Sequence, residues 1–68
     1  MAGNYELFLQ DIVISIHANI RELTERKNFA EPHELTHIES KLLAYNEVLS
    51  LLKDSADEFR IPAKEIGL

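Results

Sequence analysis

Between Leu35 and Phe59 apolar side chains recur at alternating steps of three and four without a break: Leu35, Ile38, Leu42, Tyr45, Leu49, Leu52, Ala56 and Phe59. Only a helix brings such positions to one side. The mean step of about 3.5 makes them the a and d positions of consecutive heptads, the pattern of a helix packed along its length against another helix. That helix is expected from about Pro32 to Arg60, roughly 42 Å long at the usual rise per residue. Pro32 suits its first turn, where a missing N–H costs nothing, and Pro62 is expected to stop it by biasing Ile61 towards extended backbone. The tail, 61–68, forms a loose turn or a short strap with Ile66 and Leu68 as its anchors.

A second amphipathic stretch precedes the first. Tyr5, Phe8, Leu9, Ile12, Val13, Ile16, Ile20 and Leu23 fall within an arc of about 140° on a helical wheel, which predicts a helix over about 4–27. Asn4 is the expected N-cap, since its side-chain oxygen accepts from an otherwise unpaired backbone N–H. On the same heptad Leu9, Ile16 and Leu23 take a positions and Tyr5, Ile12 and Asn19 take d. Asn19 is then a polar residue in the seam, either setting register through a hydrogen bond or lying at the wet edge of the core. The link at 28–31 is short, and a short link makes long helices antiparallel neighbours. The expected fold is all-α: one domain, 1–68, folded as a two-helix antiparallel hairpin.

A chain of 68 residues and 7.8 kDa buries too little to fix itself easily, because ordering costs roughly 1.5 kcal/mol per residue. It has no cysteine, so disulfides and thiolate metal sites are excluded and self-association is the available remedy. The helical faces are also wider than one partner helix covers, with Phe8, Val13, Ile20 and Val48 flanking the seam. Two hairpins packed face to face into a homodimeric four-helix bundle would cover these flanks. The expected dimer core is Leu9, Ile12, Ile16, Leu23, Leu35, Ile38, Leu42, Tyr45, Leu49, Leu52 and Phe59. Leu7, Ile14, Leu43 and Leu51 lie off the seam. They read either as ordinary scattered surface residues or, where they cluster, as a docking strip for another protein.

The formal net charge of -5, from 12 acidic and 7 basic residues, argues against binding a polyanion through a broad field. Arg21, Arg26 and Lys27 are the one basic concentration, and the C-terminal dipole end of a helix accounts for them. A competing idea comes from Rop-like plasmid regulators, short helical hairpins that dimerise and bind paired RNA loops; this chain is similar to them in expected architecture alone. The start of the chain carries no basic segment ahead of an apolar one, so no secretory signal is expected. The run from Leu7 to Ile16 is about half the length needed to cross a bilayer. A cytoplasmic protein with no membrane span is the expectation.

His33-Glu34-Leu35-Thr36-His37 resembles the HExxH zinc signature of metallopeptidases, its thermolysin-like branch in particular. The resemblance covers five residues of 68. It implies His33 and His37 as zinc ligands, Glu34 as general base and a later glutamate as the closing ligand. Glu47, the later glutamate in the most similar setting, departs from that pattern: ten residues of helix separate it from His37, about 15 Å of rise, whereas a ligand must lie within about 2 Å of the metal. The heptad also assigns both histidines to the solvent side. A solvated helix start with an acidic residue near the positive dipole end explains the segment without metal, and His17, at a b position, reads as a solvated histidine. The expectation is therefore a non-enzymatic homodimeric helical module, without cofactor, acting on another protein by contact.

Overall fold

The computed structural model describes residues 3–68. Met1 and Ala2, the first two residues of the expected domain, lie outside them. Among the described residues every regular element is helical and none is a strand: α1 covers Asn4–Lys27, α2 covers Pro32–Glu58, and a 3-10 turn covers Ala63–Ile66. Among the described residues no helix is long and apolar enough to cross a membrane.

The helix ends explain the boundaries. Gly3, not Asn4, is the N-cap of α1: it is extended at φ -112° and ψ -176°, and its carbonyl accepts from Glu6 N at 3.1 Å and Leu7 N at 3.3 Å. Asn4 sits one position too far into the helix to cap it, and no side chain does so. Before α2, Glu31 is extended and its carbonyl accepts from Glu34 N and Leu35 N, both at 2.9 Å. Pro32 occupies the first turn, where no N–H is required.

α2 ends two residues earlier than the proline alone implies. Ile61 N donates to the Ala56 carbonyl at 2.7 Å and Arg60 N to the Asp57 carbonyl at 3.1 Å. Together these are the two bonds of a Schellman turn, with Arg60 in the left-handed region at φ 57°. The stop is thus made by paired carbonyls before Pro62 is reached. It costs about 1 kcal/mol or more, because Arg60 carries a Cβ in a conformation that favours glycine.

The turn sends the tail back across α1 as a strap. Ile66 is 5% exposed and Val13 fully buried, and Gln10 Nε2 donates to the Glu65 carbonyl at 2.8 Å. Gly67 lies so near that a Cβ there would meet Val13 Cγ1 at 3.4 Å, and its own φ of 87° is left-handed. Across the hairpin, Asn19 Nδ2 donates to Tyr45 Oη at 3.1 Å. The buried residues are few: Val13, Ile16 and Leu23 from α1, Ile38 and Ala56 from α2, and Ile66 from the strap.

The molecule measures 47 × 20 × 14 Å, and its least dimension is little more than one helix diameter of about 10–12 Å. It is a single layer of two helices. Its radius of gyration is 14.3 Å, against about 11 Å for a compact chain of this length. Its accessible surface is 5523 Å², against about 4,400 Å² for a compact monomer of this mass. A stable domain places at least two layers around a core, so this hairpin offers one layer with two broad faces.

Candidate interaction surface

The strap covers the end of one broad face, on the side of α1 that carries Gln10 and Val13. The opposite face has no such cover. On α1 it is the row Phe8, Ile12, Ser15 and Asn19, spaced by three or four and therefore aligned, with Tyr5 at its end lining a groove beside Ile61, Glu65 and Ile66 of the tail. On α2 it is the row Tyr45, Val48, Leu52, Ser55 and Phe59. Asn19 and Tyr45 join the rows through their hydrogen bond, and Lys41, Ala44, Tyr45 and Val48 line one shallow groove on this side. Because the helices are antiparallel, Tyr5 lies level with Phe59 and Ile12 level with Leu52.

Exposure along these rows is high for such residues: Tyr5 87%, Phe8 62%, Val48 42% and Phe59 74%. Ile12, Tyr45 and Leu52 are half-buried. No charged side chain interrupts the rows between Tyr5 and Asn19 or between Tyr45 and Phe59. Single exposed apolar residues are ordinary; an apolar face interrupted only by the uncharged Ser15, Asn19 and Ser55 marks an interaction site.

The seam read from the heptads divides in two. Ile16, Leu23 and Ile38 are buried within the protomer, Leu9, Ile12, Leu35, Leu42, Tyr45, Leu49 and Leu52 are half-buried, and Phe59 is exposed. The heptads identified positions that face a helix but not whose helix. They also left Val13 as a flanking residue, whereas it is the most buried of all, because the strap that covers it follows no helical period.

Leu7, Ile14, Leu43 and Leu51 are 61–66% exposed, and they do not form one strip. Leu7 and Ile14 lie on the outer edge of α1, Leu43 and Leu51 on the outer edge of α2, across the width of the hairpin. Arg21, Arg26 and Lys27 are exposed and fan around α1, since five residues and then one, at about 100° per residue, separate them. They share no single face. His33 and His37 are exposed in the first turns of α2, with His33 Nε2 3.9 Å from Glu34 Oε1. Among the described residues no three His, Cys, Asp or Glu side chains come together as a metal site, and Glu47 lies along α2 away from the pair. His17 is exposed on α1.

Comparisons with protein-family models, with curated proteins and with solved structures find no match for this chain, so its own open apolar face carries the functional reading.

Proposed function

We propose that this chain is a non-enzymatic interaction module that works in the cytoplasm as a homodimer, open face against open face in a four-helix bundle. It acts on another protein by contact, as a regulator, adaptor or assembly accessory. The observation that carries this reading is the uncovered face of a molecule one helix layer thick. A compact particle of twice the mass is expected to expose about 7,300 Å², so pairing two hairpins of 5523 Å² each into such a particle would remove about 3,700 Å² in total. That falls within the range of obligate homodimer interfaces, roughly 2,000–5,000 Å².

In this reading Phe8, Ile12, Val48, Leu52 and Phe59 are the working residues of the dimer. The outer edges, with Leu7 and Ile14 on one and Leu43 and Leu51 on the other, remain for a target protein. The test is sedimentation equilibrium of the wild-type chain beside a Phe8→Glu, Val48→Glu double variant. The expected result is a wild-type dimer and a variant whose dissociation constant rises at least about 100-fold, as two charges are forced into the interface. Equal masses for the two proteins would refute the assignment of the open face.

A further inference from the structure

We propose that the two hairpins of the dimer point the same way, turn beside turn and strap beside strap, with the two-fold axis along the bundle. The proposal rests on the homodimer reading above and concerns how the second copy is seated.

The open face is polar at one end and apolar at the other. Its half nearest the strap carries Phe8, Ile12, Val48, Leu52 and Phe59, without a charge. Its half nearest the turn carries Glu22, Arg26 and Lys41, around the Asn19–Tyr45 hydrogen bond. Asn19, Arg26, Lys41 and Tyr45 line one groove, which places these charges on the same face as the bond.

Three seatings put open face on open face. With the hairpins reversed and fully overlapped, Glu22, Arg26 and Lys41 of each copy come to rest over the aromatic half of the other. Charges buried without partners are strongly unfavourable. With the hairpins reversed but staggered, the apolar halves meet and both turn ends protrude. Roughly half the face is then covered, well short of the area a compact dimer removes.

With the hairpins aligned, apolar half meets apolar half over the full length. Each α1 then lies over the partner's α2, antiparallel to it, so every neighbouring pair of helices in the bundle opposes its dipoles. Tyr5 comes level with Phe59 of the partner subunit and Ile12 with Leu52 of the partner subunit. One pole of the assembly then presents both turns, each with Phe29 at 88% exposure, and the other pole presents both straps.

The chain has no cysteine, so a single introduced thiol can be spin-labelled cleanly. Asn28→Cys marks the turn and Glu58→Cys the other end; both positions are exposed. Distances between like labels in the dimer are read by double electron–electron resonance, with the mass of each labelled protein checked in parallel. The aligned dimer is expected to give short distances at both sites, about 20–35 Å, set by the width of a four-helix bundle. Long distances at both sites, approaching the 47 Å length of the hairpin, would overturn it in favour of reversed overlap. A short distance at Cys-labelled 58 with a long one at 28 would overturn it in favour of the staggered dimer. A labelled protein of monomer mass with no dipolar coupling at either site would instead sink the homodimer reading itself.

Discussion

On one broad face of the hairpin the tail lies against α1, with Gly67 beside Val13 and with Ile66 and Val13 5% and 0% exposed; on the other, Phe8 and Val48 stand at 62% and 42%, uncovered among the described residues. Both faces belong to the same two amphipathic helices, so composition does not separate them. What separates them is the tail, which turns at Arg60 and lies against Gln10 and Val13 of α1. An eight-residue tail is enough to finish one end of one face. The difference teaches that a thin hairpin meets its need for a second layer in two ways: locally from its own chain, and elsewhere from another.

The largest effects are expected where the strap is broken. Ile66→Ala truncates the buried side chain of the strap and is expected to cost about 2–5 kcal/mol, as for other buried Ile truncations. Urea unfolding at fixed protein concentration measures it, and a loss below about 1 kcal/mol would show that the strap contributes little. On the open face, Leu52→Ala removes a half-buried side chain at the centre of the apolar rows. It is expected to weaken the dimer by about 2 kcal/mol, or roughly 30-fold in dissociation constant. A concentration-independent melting temperature for that variant and the wild type alike would count against a role in association.

Smaller effects sharpen the contrast. Gly67→Ala places a Cβ at 3.4 Å from Val13 Cγ1 on a backbone at φ 87°, and a loss of about 1–2 kcal/mol is expected. Arg60→Gly relieves the left-handed residue of the Schellman turn and is expected to gain about 1 kcal/mol in thermal unfolding. The smallest change is expected on the outer edge. Leu7→Ser with Ile14→Ser should leave stability within about 0.5 kcal/mol and the mass unchanged, whereas a drop to monomer would move the dimer interface from the open face to that edge.

Much of this architecture is legible in the residues. The unbroken three-four rhythm from Leu35 to Phe59, the arc from Tyr5 to Leu23, and Pro32 after a short link lead to two helices and a hairpin without further information. The cap of α1 is not legible in the same way: Asn4 has the better side chain, yet Gly3 holds the capping geometry, because the backbone leaves the helix one residue sooner. The strap is harder still. Its seat depends on a Gln10 side chain reaching the Glu65 carbonyl and on two left-handed residues, Arg60 and Gly67, none of which carries a period. The apolar face was visible as the flanking positions Phe8 and Val48. Which of its flanks the protomer covers for itself was decided by the tail, so Val13 and Val48, similar on a helical wheel, end at opposite extremes of burial.

The most direct test is the solution mass of the wild-type chain by multi-angle light scattering across a concentration series, with helicity followed in parallel. The account expects a particle of about twice 7.8 kDa at micromolar concentration, whose dissociation on dilution is accompanied by loss of helix, since a single layer is poorly stable alone. A particle of 7.8 kDa at every concentration, with its helicity intact, would contradict it and show that this hairpin stands as a monomer.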